Sequence, residues 1–399
     1  MKSRWNLAGK IKTLPEDFVV EEIPLYEPCG EGEHLYITVR KTNMSHDACL
    51  RHIANQFGVS KRDVGCAGRK DFHAVTTQMF SVYLRGKKPE VSDSIENVEV
   101  IASSYHGNKL RLGHLVGNKF VIRIREIESF SLQEVEQRLR IVSQAGMPNY
   151  FGPQRFGNYG TNHELGLALV LDDWDGLVSA LLGGDERHHA FVQEGEYKRA
   201  FDAWPFGQPA ERNVLEALVA GKTSQQACKT IQRELQKLWV NALQSYLFNE
   251  VLASRMSDGT WDKLVRGDLA WKHDGGGRTF EVTEEELIDE TIKERIEAFS
   301  LSASGPLWGA KMRMPSGRVL QKEIEVRELH GLAEAHLENM RKFALGARRP
   351  LRVQVVNPTI SQLEDAHGPF FKLEFALPAG SYATTLIQQI LEPTFNFSK

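Results

Sequence analysis

Hydrophobic and polar residues alternate along His34-Leu35-Tyr36-Ile37-Thr38-Val39-Arg40 and again along Phe120-Val121-Ile122-Arg123-Ile124-Arg125. That period of two is the pattern of half-buried strands. A turn at Gly117-Asn118 is expected to precede the second. Between the two, Ser45 is placed to cap a helix carrying Leu50, Ile53 and Phe57 on one face, with Gly58 at its end. Ser131 and Glu134 have capping-box spacing. Leu132, Val135, Leu139 and Val142 follow at helical steps until Gly146 and Pro148 stop the run. From about 160 to 250 the periodicity is helical. The longest stretch, 228–254, carries Leu235, Leu238, Trp239, Leu243, Tyr246, Leu247 and Val251 at three- and four-residue steps. A β-like section follows over 264–282. Its Gly275-Gly276-Gly277 reads as a hairpin turn, because no Lys-Ser/Thr follows to make a phosphate loop. Helices are expected again over 284–299 and 329–345, then strands over 351–356 and 370–376, then a last helix with Ser381 as cap. The order is β-rich, helical, β-rich. If the two ends share a sheet, the middle is an insertion.

Composition narrows the class. A chain of 399 residues is long for one core and predicts two domains. Apolar residues make up 41% and charged residues 25%, which suits a soluble globular protein rather than a disordered one. No apolar run approaches the about eighteen residues of a membrane span. The start, Met1-Lys2-Ser3-Arg4-Trp5, lacks the apolar stretch of a leader. Four widely spaced cysteines without a C-x-x-C read as reduced thiols of a cytoplasmic protein. Thirteen scattered histidines show no ligand spacing, so no metal is expected. Net charge is −3, yet cations gather at Arg69-Lys70, Arg85-Gly86-Lys87-Lys88, Lys109-Leu110-Arg111 and 119–125. A basic first third suits a phosphate backbone; a mixed solvated surface fits the same charges.

Four segments are candidates for chemistry. In Gly65-Cys66-Ala67-Gly68-Arg69-Lys70-Asp71-Phe72-His73, one carboxylate follows a glycine-punctuated turn. Asp71 reads either as a turn aspartate bonding its own backbone or as a single acid held in a cleft. Arg69 and Lys70 are neighbours on an extended chain and cannot both point with it. In Asn149-Tyr150-Phe151-Gly152-Pro153-Gln154-Arg155-Phe156-Gly157, aromatics interleave with amide and guanidinium groups. Such a set stacks on and reads bases, or it plugs a core. Lys12 with Pro15-Glu16-Asp17-Phe18, and Leu377-Pro378-Ala379-Gly380-Ser381-Tyr382-Ala383-Thr384, each set an aromatic beside a turn.

Taken together, these segments resemble the TruD family of tRNA pseudouridine synthases. The family pattern A-G-x-K-D-x-x-A-V-T-x-Q is matched by Ala67 to Gln78. N-Y-F-G-x-Q-R-F-G is matched by Asn149 to Gly157, P-E-D-F-V-V by Pro15 to Val20, and L-P-A-G-S-[FY]-A-T by Leu377 to Thr384. The resemblance runs through nearly the whole chain in order. It implies an α+β fold: a pseudouridine-synthase catalytic domain with a mixed or antiparallel sheet (1–174 and 354–399), interrupted by an inserted, mostly helical α+β domain (175–353). It implies an isomerase acting on tRNA, at uridine 13 of the D-arm, as a cytoplasmic monomer without cofactor or metal. Asp71 corresponds to the family's essential aspartate and Lys12 to a lysine near it. Phe18, Asn149 and Tyr382 correspond to residues lining the uridine pocket, and Phe151 to the aromatic stacking on the target base. Two departures stand out. Gln388-Gln389 replace an Arg-Glu found in many members, and Tyr382 replaces a phenylalanine found in some. The same chemistry on another RNA site, or RNA binding without catalysis, would leave similar motifs. A one-acid glycoside hydrolase is the weaker third reading, since no second carboxylate is specified.

Overall fold

The computed structural model describes residues 9–157, 159–183 and 186–392. Met1 to Trp5, on which the expectation about a leader rests, lies outside them. The chain divides at 147/148 and 352/353 into two compact units. The expected boundary at 174/175 places 148–174 with the terminal parts instead.

The first unit, 9–147 with 353–392, is built on a nine-stranded sheet. Its strands are β1 (Phe18–Pro24), β2 (His34–Thr42), β3 (Val64–Cys66), β4 (Val75–Tyr83), β5 (Ser94–Ile95), β6 (Val98–His106), β7 (Leu115–Arg125), β8 (Val356–Asp365) and β9 (Gly368–Pro378). The spatial order is β8-β9-β7-β1-β4-β2-β6-β5, with β3 on β4. β1 and β4 run parallel and the other pairs antiparallel, so the sheet is mixed, and both ends of the chain contribute to it.

Alternation places the core. Phe18 and Val20 of β1, Phe120, Ile122 and Ile124 of β7, and Phe371, Leu373 and Phe375 of β9 are buried together. Val135, Leu139 and Val142 of the helix Leu132–Ala145 and Leu386, Ile387 and Ile390 of the helix Ala383–Leu391 cover them. A second pad joins Leu35, Ile37 and Val39 of β2 and Phe80 and Val82 of β4 to Cys49 and Ile53 of the helix His46–Gln56. Ser45 caps that helix as expected, accepting from Ala48 N at 3.1 Å.

Several local expectations fail for identifiable reasons. Gly117-Asn118 is no turn but part of β7; a Cβ on Gly117 would lie 2.2 Å from Leu377 O, so glycine there permits close approach of β9. Ser131 and Ser381 make no capping bond, and the residue before the last helix is Tyr382. Backbone bonds are present at both helix starts, from Val135 N to Ser131 O and from Thr385 N to Tyr382 O.

The second unit, 148–352, is mostly helical around the 25-residue helix Arg233–Ser257. The expected 228–254 helix breaks, since Ser224–Cys228 is separate and capped by Thr223. Leu238 is exposed, while Trp239, Leu243, Leu247 and Val251 are buried. Leu269–Lys272 and Thr279–Glu281 form a hairpin around the triple glycine, with Gly276 and Gly277 at φ +63° and +80°. Leu301–Leu307 and Ala347–Pro350 extend it into an antiparallel sheet of four strands. The helix Gly317–Leu329 precedes the stretch expected to be helical, and 329–345 holds only short turns of helix.

One ionic network fixes the first unit's motif Pro15–Phe18. Asp17 is fully buried and takes two bonds from Arg125 of β7, at 2.9 and 2.7 Å. Arg125 also binds Asp365 at the β8–β9 turn, at 3.0 and 2.9 Å. Bonds from Arg125 and then from His367 N hold the Asp365 carboxyl well below the usual carboxylate range. Breaking one partner of a buried pair typically costs about 3–5 kcal/mol. Asp17→Asn is therefore expected to lower unfolding stability by about that amount in urea denaturation at neutral pH. Asp365 is depressed in the folded state. Its stabilisation is present above the ordinary carboxylate pKa of about 4 and is lost as pH falls through the folded value. Wild-type stability should fall on acidification below about pH 4, less steeply in Asp365→Asn.

Candidate active site

Asp71 sits on the loop 67–74 between β3 and β4, where almost every other motif residue is a tie. Gln78 Nε2 donates to Gly68 O at 3.2 Å, and Gly113 N to Ala67 O at 2.8 Å. Lys70 turns inward to Glu22 (2.9 Å) and Asn118 (2.6 Å), while Arg69 turns outward to Asp47 (2.7 Å). The two cations diverge, as neighbours on an extended chain must. His73 pairs with Asn43 at 3.0 Å, and Asn43 N donates to Ala74 O at 3.1 Å. Lys41 Nζ reaches the carbonyl of Asp71 itself at 2.7 Å.

The Asp71 side chain is 46% exposed, and its Oδ1 accepts from Lys12 Nζ at 3.0 Å. Lys12 is held at φ +60° with its ammonium 4.2 Å from the Phe18 ring centroid. Phe18 is 2% exposed and meets Phe120 edge-on, so its ring backs Lys12 from inside the core. The carboxylate, the ammonium and the ring form one stack from surface to interior. An exposed ion pair adds only about 0–1 kcal/mol to stability, so the pair matters for direction and charge.

Asn149 and Phe151 form a separate cluster in the second unit. Asn149 is buried; its Nδ2 donates to Pro350 O at 3.0 Å and its Oδ1 accepts from Arg349 Nη2 at 2.5 Å. Phe151 is 7% exposed, and its peptide is clasped by Asn249 (Phe151 N to Oδ1 2.9 Å; Nδ2 to Phe151 O 3.0 Å). Its ring meets Phe248 edge-on at 5.6 Å and carries the Arg349 guanidinium 4.1 Å from its centroid. Tyr382 is half-buried at the start of the helix Ala383–Leu391. Lys12, Phe18 and Asp71 are thus brought together in the first unit, Asn149 and Phe151 in the second. Lys41, Glu22 and Arg349 were missed by sequence reasoning, because their partners are remote in the chain.

Two cavities lie elsewhere, and Asp71 lines neither. One of about 820 Å³ in the second unit is lined by Arg255, Arg266, Ser316, Arg318, Lys322 and Glu323, among others. A groove of about 400 Å³ in the first unit is lined by Tyr26, His106, Asn108, Lys109, Arg111 and His114. Among the described residues no group of three or more His, Cys, Asp or Glu could hold a metal ion. Burial pushes the Cys49 and Cys228 thiols up to about 11 and His163 and His273 down to about 4. These groups supply neither a thiolate nor an imidazolium near neutral pH.

Comparison with known proteins decides the family. The family model described as tRNA pseudouridine synthase D (TruD) matches residues 2–390. The chain belongs to the TruD family. A relative named tRNA pseudouridine synthase D from Geobacter metallireducens is 37% identical, with 96% of this chain and 95% of that protein covered. One of the same name from Methylococcus capsulatus is 35% identical over 96% of this chain and 91% of its own. The crystal structure of a protein assigned as TruD from Methanosarcina mazei superposes with a TM-score of 0.80 at 26% identity, covering 96% of this chain and 94% of that one. The TruD chain is therefore an isomerase of the pseudouridine-synthase class. Its departure at Gln388-Gln389 is buried, and Gln388 Nε2 donates to Glu392 at 3.1 Å.

Arg349 joins the stack on Phe151 to bonds with the Asn149 carbonyl and amide. Arg349→Ala is expected to destabilise the TruD chain by about 2 kcal/mol, read in urea denaturation.

Proposed function

We propose that this TruD-family chain converts a uridine of tRNA to pseudouridine, at uridine 13 of the D-arm, with Asp71 as the catalytic carboxylate. The observation that carries the assignment of Asp71 is the tied loop: an outward carboxylate whose backbone is held at several points and whose Oδ1 is oriented by Lys12. No other bond to the carboxylate is present among the described residues, which leaves Oδ2 to face substrate.

The reaction breaks the N1–C1′ bond, turns the uracil and joins C5 to C1′. The C5 proton leaves and N1 gains one, so atoms and electrons balance without an added reagent. C1′ becomes electron-poor as its bond to N1 breaks. An ionised carboxylate answers that charge by stabilising C1′, by bonding to it, or by taking the C2′ proton. Asp71 suits each of these routes. Lys12 holds the carboxylate's direction, and Phe18 holds Lys12.

The detached uracil must remain in place while it turns. A flat aromatic wall allows in-plane rotation. By the family resemblance, Phe151 corresponds to such a wall, Asn149 to a reader of the base edge and Tyr382 to a residue lining the uridine pocket. The face of Phe151 now carries Arg349, a flat cation that an arriving uracil would replace. Everting the nucleotide costs a few kcal/mol, offset by contacts to the RNA backbone. The groove of Tyr26, His106, Lys109, Arg111 and His114 suits that purpose. Its loop is joined to the Asp71 loop through Gly113 N and Ala67 O. Residues 1–174 with 354–399 are read as the catalytic domain, working as a cytoplasmic monomer, and 175–353 as the inserted one.

Purified protein incubated with unmodified tRNA, without metal or nucleotide, should give a carbodiimide-reactive pseudouridine at position 13. Asp71→Asn should lower the rate by about a thousandfold or more. Product from Asp71→Asn near the wild-type rate overturns the role of Asp71, and normal RNA binding without product overturns catalysis. Arg111→Ala should raise KM for tRNA roughly three- to tenfold with kcat kept, and lower the salt dependence of binding by about one phosphate contact.

A further inference from the structure

We propose that Lys41 is a positioning residue for this reaction, aiming Asp71 by clamping its peptide carbonyl; the proposal rests on Asp71 being the catalytic carboxylate. The residue is out of place by packing logic. Leu35, Ile37, Val39 and Lys41 occupy alternate positions of β2 and share its buried side, each at most 1% exposed. The first three fill the core under the helix His46–Gln56. The fourth carries a charge into the end of that row.

Burying an ammonium costs several kcal/mol, and the usual compensation is a carboxylate at contact distance. Lys41 has none among the described residues. Its Nζ donates instead to two neutral carbonyls, Met44 O at 2.8 Å and Asp71 O at 2.7 Å. Burial accordingly pulls Lys41 below the ordinary lysine range, while the Cys49 thiol and the Asp71 carboxylate work against that and Lys70 adds to it. A methionine would fill the same space at lower cost. What lysine adds is a connection. Met44 precedes the cap of the helix His46–Gln56, and Asp71 is an outward-facing residue of its loop. One ammonium therefore pins the Asp71 peptide to a strand end and a helix start. Fixing that peptide fixes the Cα–Cβ direction of a side chain that is itself half in solvent. Lys12 then orients the carboxylate from outside and Lys41 the backbone from beneath. Asn43, bonded to His73 and to Ala74 O, reinforces the same corner.

The test compares wild type, Lys41→Met, Lys41→Arg and Asp71→Asn as full chains, with steady-state kinetics on unmodified tRNA and thermal unfolding of each. Lys41→Met should fold and should lower kcat about 10- to 100-fold, the scale of an ångström-sized misplacement, with KM changed by less than about threefold. Lys41→Arg, which can still reach two carbonyls, should recover much of kcat. Lys41→Met with wild-type kcat overturns the proposal. So does a loss of kcat in both Lys41 variants that matches their unfolded fraction, which assigns Lys41 to stability alone. An active Asp71→Asn overturns the earlier reading of Asp71; an inactive one beside an unaffected Lys41→Met overturns only this one.

Discussion

A carboxylate that is half in solvent is aimed only in part by the one side chain that touches it; the rest depends on a backbone that does not move. That constraint organises the first unit of this chain. The loop bearing Asp71 contains no regular hydrogen-bonded ladder, so side chains must supply its rigidity. They come from five directions: Gln78 on β4, Lys70 into Glu22 of β1, Arg69 onto the helix His46–Gln56, His73 onto Asn43, and Lys41 from β2. The sheet matters here because β1, β2 and β4 are adjacent in it and present these partners at one edge of the loop. Seen this way, most letters of the family's Asp-bearing motif are fixtures, and the aspartate is what they fix.

The same economy appears at Phe18. Its ring is a core residue by burial and a site residue by contact, since the Lys12 ammonium rests on it. The neighbouring Asp17 is consumed in the Arg125–Asp365 network, which sets where β1 begins and so where that ring stands. In the second unit, Asn149 and Phe151 are likewise spoken for by Arg349 and Asn249. Asn149 and Phe151 are thus fixed by partners within the protein.

What the sequence made legible follows the range of the interactions. β2, the Ser45-capped helix and the triple-glycine hairpin were readable because their determinants lie within a few residues. The motif around Asp71 was readable as a unit, and the resemblance gave it a chemistry that spacing alone left open. Gly117 misled because glycine signals both turns and close approaches, and only the position of β9 tells them apart. Lys41 and Arg349 were invisible for a different reason. Their partners stand 30 and 200 positions away, Asp71 and Asn149, and no local periodicity encodes such pairs. The helix Gly317–Leu329 escaped because it follows its register only weakly, with Glu323 and Arg327 buried among its few inward residues. Arg348 accounts for the first of these, bonding Glu323 at 2.8 and 2.7 Å.

The central claim is spatial: the side chain at position 71 faces the sugar of an everted uridine. A structure of the Asp71→Asn chain bound to unmodified tRNA tests it most directly. The account predicts an everted uridine whose C1′ lies about 3–3.5 Å from the side-chain oxygen or nitrogen of residue 71, with Lys12 still on its far side. An everted base held against a different carboxylate, with residue 71 left in solvent, would contradict it.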